Sequence, residues 1–418
     1  MNSDRNVVIT GLGVVAPNGN NVDEFYKNCI DGVTGIHQSD ILKQFSYQST
    51  YAGEVHLSED LRWEAKHKKM GDIACEEMLK SAHMTKEDIE KLDSRVGFCM
   101  ASANIGSLRL ELQLRLKEGF NVDQANENIE LLKKRGTDIL DFNATDCSYY
   151  FADKLGIGGP VLTINTACAS GTMAVGTAYR LIKSNQADVV VASGIETLSD
   201  LSLSGFNSML NLSSKPCRPF DKGHDGITIG EGAAFVMLES EESAIKRGAT
   251  ILGRVFGYTT SNDAYHITSP DPTGKGALWC MQQTLNKRDS KVNEKLYVNT
   301  HGTATNANDS MELKALTELQ ENNSNIDHIW FSSTKSMIGH CLGASGIIEF
   351  VCSMKGLVEG KMPVSISAED KMDFDESKIT LVRNQSESVP YDYFISNSFA
   401  FAGCAASIGV EKWNEGEK

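Results

Sequence analysis

No apolar run in this 418-residue chain approaches the ~18 residues that a membrane helix needs, so the sequence offers no helical membrane span. Only 8 prolines occur and no Pro/Ser or low-complexity tract interrupts the chain, which excludes a string of domains on flexible linkers. Positive charge is in deficit. The 40 Lys and Arg face 55 Asp and Glu, and the net charge of −15 argues against general nucleic-acid binding. An acidic partner can dock only on a local basic patch. Ten cysteines are present, but without a CxxC pair or a regular spacing, so neither a zinc site nor a disulfide framework is indicated. Free thiols are the expectation. The opening Met1-Asn-Ser-Asp-Arg-Asn6 has no apolar core of the signal-peptide kind, and a cytoplasmic location is expected.

What is present is an alternation of short β-branched runs with longer helical patterns. The strand signals are Asn6–Thr10, Arg95–Cys99, Val161–Ile164, Asp188–Ala192, Ala234–Leu238, Tyr297–Asn299, Ile329–Ser332 and Phe394–Asn397. Helical periodicity marks Gly71–Ser81, Thr172–Ser184, Ser310–Gln320 and Ala344–Leu357. The pattern predicts an α/β protein with central sheets covered by helices. A faint echo between halves (strand, reactive residue in a small-residue turn, helix) hints at duplication. The charged segment Leu108–Asp141 reads as two amphipathic helices joined near Gly119–Asp123, most plainly a solvated excursion.

One strand ends in a reactive residue. Val161-Leu-Thr-Ile-Asn-Thr-Ala-Cys168-Ala-Ser-Gly171 runs from an apolar strand through a tight turn into a helix. A thiol at such an elbow meets free helix N–H groups, which favour the thiolate. For a single cysteine the plainer reading is a small buried hydrophobe. Partners elsewhere shift that balance. Val298-Asn-Thr-His301-Gly-Thr-Ala-Thr305 delivers one histidine into a turn of small hydroxyl residues. Ser333-Thr-Lys335-Ser-Met-Ile-Gly-His340 delivers another ahead of a helix, and Asn397-Ser-Phe-Ala-Phe401-Ala-Gly-Cys-Ala405 forms a small-residue loop around two aromatics. The histidines lie 39 positions apart with no third ligand at a usual spacing, which disfavours a metal site. A cysteine with two histidines fits acyl transfer, the thiolate attacking a thioester while imidazoles polarise a carbonyl.

These motifs resemble those of the β-ketoacyl-acyl carrier protein synthases, nearest the elongating synthase II type. The resemblance also takes in Val8-Ile-Thr-Gly-Leu-Gly13, Arg218-Pro-Phe-Asp221 with Asp225-Gly, Gly230-Glu-Gly232 and Ala264-Tyr-His-Ile-Thr-Ser-Pro270. It implies the five-layered αβαβα thiolase fold built from two similar halves, residues 1–250 with the cysteine and 251–418 with the histidines. It implies a decarboxylative Claisen condensation without cofactor or metal, between an acyl thioester on Cys168 and malonyl-acyl carrier protein. His301 and His340 would stabilise the enolate, with Lys335 completing the catalytic set and Glu349 and Asp309 supporting it. Backbone N–H groups of Cys168 and Phe401 would form the oxyanion hole. Arg62, Lys66, Lys68 and Lys69 would dock the acidic carrier protein, though such a run is more often a solvated face. A homodimer, or a heterodimer with a chain-length-factor subunit, is implied as well. Two other classes weigh less. A non-catalytic chain-length factor lacks the cysteine, and a thiolase generally carries a second reactive one.

The chain departs from the family at one place. Gly-Phe-Gly-Gly-Thr-Asn is the usual C-terminal loop, and here it reads Ala400-Phe401-Ala402-Gly403-Cys404-Ala405. Alanine in a left-handed conformation costs roughly 1–2 kcal/mol where glycine is free. A stiffer pocket gate at Ala400, Phe401 and Ala402 is expected, and with it a changed acyl specificity.

Overall fold

The structure is a computed structural model and describes residues 5–40, 42–44, 47–57, 66–104, 144–288, 294–366, 370–383 and 389–413. Arg62 and the two helices expected within Leu108–Asp141 lie outside the described residues. The strands of the main sheet, numbered along the chain, are β1 Val7–Val15, β2 Val96–Ala101, β3 Val161–Ile164, β4 Val189–Glu196, β5 Gly232–Ser240, β6 Gly253–Asn262, β7 Leu296–Asn299, β8 Ile329–Ser332, β9 Ile379–Leu381, β10 Tyr393–Phe399 and β11 Cys404–Glu411. Helices of nine residues or more are α1 Val22–Asp31, α2 Lys66–Ala82, α3 Ala144–Leu155, α4 Ser170–Lys183, α5 Asp200–Ser208, α6 Lys275–Leu285, α7 Asn306–Glu321 and α8 Ser345–Glu359.

The strand order shows the same motif twice. The first five strands lie in the order β3-β2-β4-β5-β1, and the later ones in the order β8-β7-β10-β11-β6 with β9 added at the edge. Polarity repeats too: β2 is parallel to β3 and β4, as β7 is to β8 and β10. The β4–β5–β1 and β10–β11–β6 pairings are antiparallel in both halves. The halves join where β1 meets β6 antiparallel, with Val7 opposite Val255 and Ile9 opposite Gly253.

Helices α4 and α8 run between the two half-sheets, α4 against β2, β4 and β11, α8 against β5, β10 and each other's helix. Both are apolar almost all round, as a helix buried on every side must be. Helix α2 covers the outer face of the first half-sheet and α6 that of the second, which completes five layers. The inner helices cross very closely. A Cβ on Gly171 would meet the Ile347 nitrogen at 2.6 Å, and one on Gly346 would meet Thr172 Oγ1 at 2.3 Å. Only glycine permits that approach. It brings the N-terminal ends of α4 and α8, and hence Cys168 and His340, to one place.

Every strand and helix read from the sequence within the described residues falls on an observed element. Strands β6 and β11 escaped that reading because Gly253-Arg-Val-Phe-Gly and Cys404-Ala-Ala-Ser-Ile-Gly mix glycine and small residues with few β-branched ones. No helix among the described residues is long and apolar enough to cross a membrane.

Candidate active site

Cys168 sits between β3 and α4, in a turn forced by Ala167 at φ 50°. The turn is tied by Thr166 N–H donating to Ser170 Oγ (2.8 Å) and Ser170 Oγ–H donating to Ala167 O (2.6 Å). The thiol is only 7% exposed. Burial pushes it up to about 12, against the lowering influence of the Lys335 charge and the cysteine's own backbone N–H. This corrects the expectation that the helix end would favour the thiolate: desolvation outweighs the partial charges there, and the resting group at neutral pH is the thiol.

The two histidines converge on the same space. Their rings stand edge to face with centroids 5.4 Å apart, and both are 3% exposed. Burial, followed by the nearby Lys335 charge, drives both well below the ordinary histidine value, so both are neutral. The tautomer of His340 follows from its neighbours. Leu342 N–H donates to its Nδ1 at 3.2 Å, which leaves the proton on Nε2 as a donor. Leu342 reaches this position in a left-handed conformation, φ 44°. The His340 backbone is pinned by its N–H to Thr228 O (2.6 Å) and by Gly230 N–H to its carbonyl (2.9 Å).

Behind the imidazoles lies a buried electrostatic frame. Lys335 Nζ donates to Glu349 Oε1 and to the His301 carbonyl, each at 2.6 Å. Glu312 accepts the backbone N–H groups of His301 and Gly302, both at 2.8 Å, and burial holds its carboxyl up to about 7. Glu196 accepts N–H groups from Ala103 (2.8 Å), Asn104 (2.8 Å) and Gly343 (2.9 Å), and burial raises it to about 8. Sequence reading missed both glutamates. The available signals were Glu312 at i+3 from Asp309 on one helix face, and Glu196 as the lone acid closing the apolar strand Val189–Glu196.

The Phe401 loop closes the site. Its ring packs on Phe206 at 5.7 Å, and Ala402 adopts φ 61° and ψ 21°, the left-handed region anticipated for a glycine. Ala402 N–H donates to Ile267 O (2.7 Å) and Asn262 Nδ2 to Ala402 O (2.8 Å), so the strained residue is held at both ends. Ala402→Gly should therefore raise stability by about 0.5–1 kcal/mol, the strain relieved less the larger unfolded-state entropy of glycine. Thermal melting measures it, and a lower melting temperature contradicts it.

Cys168, His301, His340, Ala400, Phe401 and Ala402 line one cavity of about 550 Å³, together with Thr303, Thr305 and Phe206. Lys335, Glu349 and Asp309 stand behind its wall, buried. The basic residues do not line it. Lys66 is committed to an ion pair with buried Glu231, and Lys68 Nζ lies 5.4 Å from the centre of the Tyr150 ring. Among the described residues no cluster of three or more His, Cys, Asp or Glu is arranged to hold a metal ion.

Comparison with known proteins points one way. Residues 4–244 match the family described as Beta-ketoacyl synthase, N-terminal domain, and residues 252–369 match Beta-ketoacyl synthase, C-terminal domain. The chain is 31% identical over 433 residues to 3-oxoacyl-(acyl-carrier-protein) synthase 2 of Synechocystis sp., covering 98% of each. It is 30% identical over 435 residues to the synthase 2 of Vibrio harveyi, covering 98% of this chain and 99% of that one. Among solved structures it resembles a type II PKS acyl-carrier protein in complex with its ketosynthase bound to the hexaketide (28% identity, TM-score 0.82, 99% of this chain and 100% of that). The ishigamide ketosynthase/chain length factor is similar at 25% identity and TM-score 0.83, covering 99% of this chain and 100% of that one.

Proposed function

The chain belongs to the β-ketoacyl synthase family, and on that premise we propose that Cys168 carries the growing acyl chain while His301 and His340 drive loss of carbon dioxide from malonyl-acyl carrier protein. The family makes it a condensing acyltransferase. The observation that carries the assignment of residues is the meeting of one buried thiol and two buried, neutral imidazoles at a single cavity. In the first stage the Cys168 sulfur attacks the acyl thioester, the carbonyl oxygen takes negative charge in the tetrahedral intermediate, and the carrier sulfur then leaves as a thiol with the proton that Cys168 gave up. Backbone N–H groups of Cys168 and Phe401 are its donors in this reading. In the second stage the malonyl carboxylate leaves as carbon dioxide and the resulting enolate attacks the acyl-cysteine carbonyl. The product is a β-ketoacyl thioester two carbons longer, and the Cys168 sulfur leaves as a thiolate that takes a proton from solvent to regenerate the thiol.

Neutral imidazoles suit that step. A donor N–H at His340 Nε2 stabilises an enolate oxygen, whereas a carboxylate in its place would repel it. Lys335 fixes the His301 carbonyl and supplies the positive field that lowers the cost of the Cys168 thiolate. Residues 1–250 and 251–418 are the two halves in this reading, each supplying one side of the site. Release of carbon dioxide from malonyl-carrier protein, coupled to a product two carbons longer, tests it. A chain that cleaves or forms acyl-coenzyme A thioesters without releasing carbon dioxide is a thiolase instead.

The left-handed Ala402 supports a specialised acyl preference, in a polyene, polyketide or unusual fatty-acid pathway, over housekeeping fatty-acid elongation. Rescue of a strain lacking its housekeeping synthase, with ordinary saturated-chain preference, would overturn that choice. The edge strand β3, with Leu162 39% exposed, supports a homodimer or a heterodimer with a chain-length-factor subunit; a cytoplasmic location is part of the same reading. For carrier docking, Lys68 and Lys69 on α2 remain the residues to test, with Lys66 withdrawn by its pairing to Glu231. Lys68→Glu with Lys69→Glu should raise the KM for carrier-linked substrates about 3–10-fold at low salt while alkylation of Cys168 is unchanged. Equal KM values contradict the assignment.

A further inference from the structure

Behind one wall of the cavity lies a polar cluster that the chemistry above does not use. His224 is 9% exposed, in the turn that follows Asp221. Its Nε2 lies 2.6 Å from Asn306 Oδ1, and its Nδ1 faces Asp309 Oδ2 at 3.4 Å. Both facing oxygens are acceptors, the first in a hydrogen bond and the second at ion-pair distance. An imidazole can offer a proton from both nitrogens only as the cation. Asp309 is itself fully buried and takes N–H donors from Thr303 (3.1 Å), Ala304 (3.2 Å) and Phe220 (2.8 Å). Ala304 (φ 66°) and Phe220 (φ 61°) are non-glycine residues in left-handed conformations, which persist only where the surroundings impose them. The segment pinned in this way runs straight on from His301, and its Thr303, Thr305 and Asn306 form the cavity wall.

We propose that His224 is a positioning residue whose positive charge holds Asp309, and through it the His301–Asn306 wall, in the geometry that malonyl decarboxylation requires. The proposal rests on the reading of His301 as a donor in that step. The groups facing His224 are Asp309 and Asn306 from α7 and Asp221 from its own turn. Asp221 is approached by Arg218 at 3.9 Å, and Lys222 turns away to Asp373 at 2.9 Å. Burial lowers the affinity of His224 for its proton, but the Asp309 carboxylate, Asn306 and Asp221 outweigh it and hold the group above the ordinary histidine value. A raised group keeps its charge below that value and loses it as pH climbs through it. The wall therefore loosens on the alkaline side.

The test follows carbon dioxide release from malonyl-carrier protein between pH 6 and pH 9 for the wild type, His224→Arg and His224→Gln. Arginine stays charged throughout, and glutamine is never charged. The wild type and the arginine variant should agree within about twofold at pH 6, and by pH 9 the wild type should fall about 5–10-fold below it, as the charge that pairs with Asp309 is lost. The glutamine variant should stay about 5–10-fold low at pH 6 and converge with the wild type at pH 9. Acyl transfer to Cys168 should show one shared profile in all three. Parallel wild-type and arginine profiles overturn the role of His224 alone, whereas a wild type that releases no carbon dioxide at any pH contradicts the condensing mechanism itself. If arginine lowers the melting temperature sharply at pH 6, His224→Lys takes its place, since its ammonium keeps its charge over the same range.

Discussion

Cys168→Ala should abolish condensation, by on the order of 10⁴-fold or more, and leave no acyl group on the protein after incubation with acyl-carrier protein. Among the described residues that line the cavity, no second thiol stands ready to replace it. Cys168 is the cysteine among its lining residues, while Cys217 and Cys341 are buried in the frame, donating to Lys335 O and Glu231 O. The fold should survive, because alanine fits the turn that Ala167 and Ser170 define. Measured single-turnover acylation and steady-state condensation should vanish together. Persistent acylation in the variant would mean that another nucleophile carries the chain.

His340→Ala should cost about 10²–10³ in decarboxylation, the usual loss when one donor to a developing oxyanion is removed. Transfer of the acyl group to Cys168 should fall far less, because that oxyanion relies on backbone N–H groups. The separation of the two half-reactions is the distinctive part. The structure spends effort on this donor: Leu342 is held at a positive φ so that its N–H fixes the tautomer, and Thr228 and Gly230 clamp the His340 backbone. A proportionate loss in both half-reactions would place His340 in general support of the site instead.

Much of this was legible in the sequence because the signals are local. The apolar, β-branched runs Val161–Ile164 and Asp188–Ala192 marked two strands that flank β2 in parallel, and each reactive residue announced itself at a strand end or before a helix. Long-range facts were not legible. That Gly171 meets Gly346, so that α4 and α8 converge, depends on contacts between residues 175 positions apart in sequence. The fate of the Cys168 proton was misjudged for the same reason, since a helix terminus is visible in sequence and burial is not. Lys66 looked like a free surface charge on a basic run, yet it pairs with Glu231 from across the fold. Glu196 and Glu312 were passed over because a carboxylate that binds backbone N–H groups leaves no motif behind.

The central claim is that Cys168 holds the chain while malonyl is decarboxylated, and intact-protein and peptide mass spectrometry tests it most directly. The protein is incubated with a panel of acyl-carrier proteins, and malonyl-carrier protein is then added. The prediction is a single acyl adduct on the Cys168 peptide that disappears with release of carbon dioxide and appearance of a product two carbons longer. An adduct on any other residue, or one on Cys168 that malonyl-carrier protein leaves in place, would contradict the account.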